Sequence, residues 1–501
     1  VTAGAPFGTS VDVAVVGGGL GGVAAAVRAA EHGASVVLLE AGTRLGGTAL
    51  FSGGGVHIWG VRTWEEYLAR CPNATEPLAR TLVERYELFI DWLMSTGAPG
   101  DFGTASMRGL SLRKYQIGSG FVPPDGRLRW FDYLGHRLRG LGGAVFTESR
   151  VTSLERQDGA LMLTAFGPDG VFELRARSVV LAAGGFQANP ELLAEHVGSG
   201  ASSFVPRAVR HDVGDGLRLG LSVGGTTTES METLYGHLMP APPCRIGWEN
   251  YVDPALLSVF YAEHSVLLNE RGERFVDESN GELNGETINA CAQQPPGGLW
   301  VVFDEAIRRR HVRSELRRDV LSRGVHRYVW LLRYVRVRLE CGRPTAYLDT
   351  LALARDRGAV VLVAETLAEL ASKLAANGVD GERALRSLCE YNTYADGRST
   401  ELRVGRHHSA HALEASPFYA LKVAVGVSMT YGGLVIDERA RALSADGKPI
   451  EGVYAVPGTA GGVHRLHYGG ALAACGVFGM IAGDEAASFA RRGSIASSLM
   501  A

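Results

Sequence analysis

The chain has 501 residues, 46% of them hydrophobic and 21% charged, with a formal net charge of -3. The length exceeds what one simple core takes, so two domains are expected, and the charge balance gives a nucleic-acid partner no support. The six cysteines (Cys71, Cys244, Cys291, Cys341, Cys389, Cys475) form no CxxC pair, which argues against a disulfide framework or zinc site and suits a reducing, cytoplasmic compartment.

The apolar stretch from Val11 to Ala30 is cut by glycines and carries Asp12 and Arg28. It reads as strand, turn and helix, and no uninterrupted apolar run reaches the ~18 residues of an integral membrane segment. Whether a targeting segment preceded Val1 stays open. Val11–Val16 is predicted to be a strand buried on both faces. Gly17-Gly18-Gly19-Leu20-Gly21-Gly22 follows, then the Ala-rich helical run Val23–Glu31 closed by Gly33, then a second buried strand, Ser35–Leu39, and Glu40. In such a unit Gly17 permits the tight turn, Gly19 lets a pyrophosphate approach the backbone, and Gly22 lets helix and strand pack closely. The helix N-terminus offers free N–H groups to the phosphates, and Glu40 stands where a carboxylate accepts hydrogen bonds from ribose hydroxyls.

Gly46-Gly47-Thr48 and Ser52-Gly53-Gly54-Gly55 come directly after that unit, where a nicotinamide-type protein would continue its strand–helix alternation. Further glycine clusters flank buried strands at Ala182-Ala183-Gly184-Gly185 and at Gly452–Gly462, and Gly469-Gly470-Ala471-Leu472 opens a last helix. On the segments Val11–Glu40, Gly46–Gly55, Val179–Leu193, Gly214–Gly225, Leu267–Glu278, Thr430–Asp437 and Gly452–Gly483, the chain resembles the fumarate reductase / 3-ketosteroid Δ1-dehydrogenase superfamily of FAD-dependent oxidoreductases over nearly its whole length. It stands closer to the ketosteroid dehydrogenase-like branch.

The resemblance implies an α/β fold: a discontinuous Rossmann-type FAD-binding domain (1–232 and 396–501) with an inserted α+β capping or substrate domain (233–395). It implies FAD contacts from Gly17, Gly19, Leu20, Gly22, Glu40, Gly46, Gly47, Thr48, Ser52, Gly53, Gly54, Val151, Ala183, Gly184, Gly458, Thr459, Gly470 and Leu472. Thr459 stands where many relatives have Glu or Asn, and its hydroxyl still suits a ribitol oxygen. Thr48-Ala49-Leu50-Phe51 occupies the place of the covalent histidine of succinate dehydrogenases, so non-covalent FAD is expected, with His57 the remaining candidate for attachment. The helix after Gly470 points its N-terminus at the flavin in that family, which favours negative charge on the reduced ring.

Flavin desaturation moves a hydride from one carbon to the flavin and a proton from its neighbour to a base, and reduction runs the same pair backwards. In the family the proton-transfer residue follows an RFxNE segment, here Arg274-Phe275-Val276-Asp277-Glu278. The matching position is Glu282, where fumarate reductases have arginine and ketosteroid dehydrogenases tyrosine. A carboxylate there serves as base once burial raises its pKa; the competing reading is a surface loop carboxylate. The carboxylate-binding histidine and arginine of fumarate reductases are replaced by Ser428-Met429-Thr430-Tyr431 and by His467-Tyr468-Gly469-Gly470, which argues against a small dicarboxylate. Tyr468 stands where a tyrosine polarises the ketone in ketosteroid dehydrogenases, unless it only packs on the flavin. His237 resembles a histidine that reaches substrate in fumarate reductases, and Arg465 and His467 are second-rank catalytic candidates. His407, His408 and His411 lack a carboxylate or cysteine partner at ligand spacing, so no metal is expected.

Arg308–Arg343 carries twelve arginines against Glu315, Asp319 and Glu340. It reads as a solvated, salt-bridged face, as an anion-binding lid, or as a membrane-surface segment. The expected function is an FAD-dependent dehydrogenase that introduces a C=C bond α,β to a ketone, with an ene-reductase, a flavin-dependent isomerase and a catalytically decayed flavin-binding interaction protein as alternatives. The partners expected are a small-molecule substrate and an electron acceptor or donor of unknown identity.

Overall fold

The computed structural model describes residues 10–58, 60–107, 110–117, 124–246, 253–280, 285–315, 333–340 and 343–499. In chain order the elements that position the site are β1 (Ser10–Val16), α1 (Leu20–Glu31), β2 (Val36–Leu39), α2 (Trp64–Arg70), β3 (Ala144–Phe146), β4 (Gly170–Leu181), α3 (Asp215–Ser222), β5 (Val266–Leu268), β6 (Leu299–Asp304), β7 (Phe418–Thr430), β8 (Pro449–Ala455) and α4 (Ala471–Leu499). They form two compact units, one of residues to 192, 208–234 and 429 onward, the other of 193–207 and 235–428. The sequence places the borders at 232/233 and at 395/396; the second unit runs on to Ser428 because β7 supplies the middle of its sheet.

The first unit is built on an eight-stranded sheet with the order Arg441–Leu443, β8, β4, β1, β2, β3, to which the hairpin Arg150–Gln157 and Ala160–Gly167 adds beside β4. From β8 to β3 every neighbouring pair is parallel, with Tyr454 opposite Val180, Val15 opposite Val180 and Leu38, and Leu38 opposite Val145. Parallel strands covered on both faces are apolar throughout, and Val13, Ala14, Val15, Val36, Val37, Leu38, Val179, Val180 and Leu181 are all buried. α1 begins at Leu20, three residues before the expected Val23. The glycines expected in the turn are helical because Gly21 and Ala25 lie against α4: a Cβ on Gly479 would stand 2.4 Å from Gly21 O, and one on Gly483 2.4 Å from Ala25 O. Small residues let these two backbones approach to van der Waals distance.

α4 is the helix expected after Gly470, and it runs on to Leu499. Its part Ala471–Arg492 is long and apolar enough to cross a membrane by length and composition, and 67% of its most apolar window is buried inside the protein. Asp484 interrupts the apolar run and binds the Arg28 guanidinium at 2.9 Å and His32 at 2.9 Å, both on the α1 side. It is the core helix of this unit.

In the second unit β7 pairs antiparallel with β6, with Val301 opposite Leu421, and with Val361–Ala364 on its other side. β6 pairs with β5. The segment Arg274–Glu278 is pinned rather than open: Glu278 accepts from Arg274 Nε at 2.9 Å, Arg406 Nη1 at 3.2 Å and Leu267 N at 3.0 Å. Both arginine heads lie over the Tyr391 ring. A carboxylate this deeply buried is tolerated only when paired and hydrogen-bonded. Arg317, Arg318, Arg323 and Arg327 of the arginine-rich stretch lie outside the described residues. Within the described part, Arg308 pairs with Glu305 and Asp349, Arg309 with Glu305, and Arg333 with Asp356. These three arginines are salt-bridged within their own unit.

Candidate functional site

The glycine loop of the first unit has the shape its chemistry requires. Gly17 has φ +104°, and a Cβ there would lie 2.2 Å from Ala182 O; a Cβ on Gly22 would lie 1.9 Å from Gly17 O. Both positions are closed to any side chain by backbone atoms. Gly19 is the opposite case. As N-cap of α1 it has φ -69°, and among the described residues nothing stands within 4 Å of its would-be Cβ. The open flank of the helix start is there, with backbone N–H groups that no side chain caps, as an anion site needs. Leu20, by contrast, is buried.

Glu40 follows β2 and is nearly buried. Its oxygens accept from Gly18 N at 2.7 Å and Gly42 N at 2.6 Å, which holds the carboxylate against the loop. Gly46 donates to Gly18 O at 2.9 Å, so the Gly46-Gly47-Thr48 segment lies alongside. Thr48 Oγ1 donates to Asp212 Oδ2 at 2.5 Å and accepts from Val209 N at 3.1 Å. Ser52 acts locally. Its hydroxyl donates to Ala49 O and accepts from Gly54 N, which ends the 3-10 turn Gly47–Phe51. The Ser52 and Gly53 carbonyls are tied to Arg127 and Gln116.

Ala182 and Ala183 lead into Gly184, φ +77°, over which Asp212 packs. Gly458, φ +102°, approaches Gly184 with 3.4 Å between its would-be Cβ and Gly184 Cα. Thr459 donates to Gly184 O at 3.0 Å, so its hydroxyl proton is spent on the protein and only lone pairs are left for a ligand. Val151 is buried in the hairpin, where neighbouring Arg150 grips Asp215 through two bonds of 2.7 and 2.8 Å. Gly470, φ +104°, is required because a Cβ would stand 2.1 Å from His57 O. α4 starts one residue on, with Leu472 buried in its first turn.

The loop before α4 brings together Arg465, His467 and Tyr468, three of the five expected catalytic residues, with Leu466 at φ +65° making the turn. It also carries His464, to which the sequence alone assigns no role. Tyr67 Oη of α2 lies 2.8 Å from His464 Nδ1 and donates to Val463 O at 3.2 Å. The other ring nitrogen, Nε2, is buried and has no hydrogen-bond partner among the described residues. The Tyr468 ring stacks on His464 at 6.1 Å between centroids and the Tyr431 ring tilts against it at 5.7 Å. Burial pushes the His464 imidazole down to about 4, holding it neutral near pH 7. Burial, with Cys71 beside it, pushes the Tyr67 phenol well above its ordinary range. His464 and Tyr67 are therefore neutral near pH 7, with the Arg70 guanidinium acting on Tyr67 from nearby, and the pair can donate a hydrogen bond and pass a proton between imidazole tautomers.

His237 belongs to the second unit, on the strand Leu234–Pro240, buried edge-on between the rings of Tyr235 at 5.2 Å and Phe260 at 5.1 Å. Glu282 lies outside the described residues. His407 bonds Asp277 at 2.5 Å, and among the described residues no group of three His, Cys, Asp or Glu side chains is placed to hold a metal. Tyr67 and Asp212, like His464, carry no signal in the sequence that marks them out.

A parallel sheet with a glycine turn, an unobstructed helix start and a carboxylate after the second strand defines a dinucleotide-binding protein. The chain belongs to the FAD binding domain family, whose model matches residues 12–473. It is 25% identical over 510 residues to a fumarate reductase (cytochrome) of Shewanella frigidimarina, covering 98% of this chain and 79% of that one. It is 26% identical to the 4-oxocyclohex-2-ene-1-carboxylate 5-dehydrogenase of Sinomonas cyclohexanicum, covering 96% and 94%. The solved 3-ketosteroid Δ1-dehydrogenase of Sterolibacterium denitrificans has the same fold, with a TM-score of 0.71 at 18% identity over 96% of this chain and all of that one. The chain is thus an FAD-binding oxidoreductase, and the glycine loop, the open flank at Gly19 and Glu40 are where its residues fit that cofactor.

Proposed function

We propose that this protein acts on a CH–CH bond next to a carbonyl and, more narrowly, that it is a dehydrogenase introducing the double bond α,β to a cyclic ketone. Bound FAD, held without a covalent link, supplies the hydride acceptor. The observation that carries the reading is the stacking of Tyr468 on the neutral His464, itself held by Tyr67 of α2, which sets a phenol donor where a ketone oxygen can accept. In this reading Tyr468 donates to the ketone oxygen as the neighbouring carbon loses its proton, and His464 holds the Tyr468 ring in place. Glu282 takes the proton, and His237 is a further donor to the substrate oxygen. Arg465 and His467 belong to the same loop and are proposed to line the substrate's path.

A second reading is reduction of an unsaturated ketone or acid, favoured by the similarity to a protein named for fumarate reduction. The two separate in one assay. The holoprotein is given a panel of saturated cyclic ketones with an artificial electron acceptor, and products are identified by mass. The dehydrogenase reading expects acceptor reduction and a product two hydrogens lighter. Inert ketones, together with oxidation of a reduced dye by an enone or unsaturated acid, would establish the reductase instead.

A further inference from the structure

The FAD cradle contains one group that its known parts leave unused. Asp212 lies in the loop before α3, 6% exposed, and joins three segments of the first unit. Its Oδ2 accepts from Thr48 Oγ1 at 2.5 Å and from Gln187 Nε2 at 2.5 Å. Its Oδ1 packs over Gly184, where a Cβ would stand 2.2 Å from it. Among the described residues nothing donates to Oδ1, and no arginine, lysine or histidine pairs with the carboxyl. The titratable groups that face it are Glu40, at the end of β2, and Cys475, on α4. Neither brings positive charge. Glu40 differs in having a backbone N–H on each oxygen.

A bare carboxylate in this place is electrostatically at odds with its setting. The loops that hold it are those that receive the dinucleotide, whose pyrophosphate is itself anionic. Two negative charges brought together in a poorly solvated cradle repel, and the cheaper state is the one in which the carboxyl keeps its proton.

We propose that Asp212 is carried as the neutral carboxylic acid in the FAD-loaded protein and that its ionisation weakens FAD binding, so that cofactor retention falls as pH rises. Burial, with Glu40 adding to it, raises this carboxyl to about 7, while Thr48 and Gln187 oppose the rise. An anionic ligand favours the protonated form and moves the value higher still. By linkage, affinity is then at its full value below about pH 7. Above that it falls by up to about tenfold per pH unit until the bound-state value is passed.

The test is FAD titration of the apoprotein, followed by flavin fluorescence, between about pH 6 and pH 9. The wild-type dissociation constant is expected to rise across that range by at least about tenfold, and Asp212→Asn is expected to bind with little pH dependence and more tightly than wild type at the alkaline end. Gln187→Leu removes a donor that favours the ionised form, so its midpoint should move to higher pH; this variant keeps the question answerable where Asp212→Asn fails to fold. A flat wild-type profile, or the same slope in wild type and Asp212→Asn, would overturn the proposal. So would a Gln187→Leu midpoint that stays put or falls.

Discussion

Gly22→Ala is expected to abolish flavin binding and to leave most of the protein insoluble, whereas Gly19→Ala is expected to give a folded protein that binds FAD weakly. The added methyl at Gly22 would lie 1.9 Å from Gly17 O, with Gly17 O and C and Ala182 around it. No flexible side chain end is available to yield, so the glycine turn or the α1 contact with the sheet must open, and the helix N-terminus is displaced from the phosphates with it. At Gly19 the methyl meets nothing, and φ is one that alanine adopts readily. Its whole cost falls on the ligand side, as lost approach of the pyrophosphate to the backbone, and a weakening of at least about tenfold, or ~1.4 kcal/mol, is expected. Flavin absorbance of the purified variants, with circular dichroism to report folding, checks both. Equal FAD affinity in Gly19→Ala and wild type would remove this flank from the cofactor site.

Tyr468→Phe is expected to keep its flavin and its melting temperature while turnover falls by about 10²–10³. The ring that stacks on His464 stays; only the hydroxyl goes. The loss should appear in kcat more than in KM, because a donor to the ketone oxygen is worth most when charge develops on that oxygen. An unchanged kcat would reduce Tyr468 to a packing residue.

The dinucleotide unit is legible in the sequence because its determinants are local. Val11 to Glu40 is about thirty residues, and strand, glycine turn, helix and acidic end each show in residue type at short range. Legibility fails where a residue's surroundings come from far along the chain. Gly21 and Gly22 are helical because α4 lies against α1, some 450 residues later, so α1 begins earlier than its alanines suggest. His464 and Tyr67 are hydrogen-bonded across 397 positions, and no spacing rule joins them. Asp212 owes its setting to Thr48 and Gln187, 164 and 25 positions away, which no local pattern joins to it. Ser52 and Thr459 show the same limit from the other side. Their types suit a flavin, yet one caps a turn and the other donates to Gly184 O. The border expected at 395/396 falls at the end of the helix Gly381–Ala395, but the partners that bring β7 into the second unit's sheet, Leu299–Asp304 and Val361–Ala364, lie far back along the chain.

Anaerobic mixing of the holoprotein with a saturated cyclic ketone, followed by flavin absorbance, tests the dehydrogenase reading most directly. Wild-type flavin is expected to bleach, and Glu282→Gln to lose the bleaching with FAD still bound. Flavin that no saturated ketone bleaches, but that an unsaturated acid or ketone reoxidises after chemical reduction, would contradict dehydrogenation as the reaction.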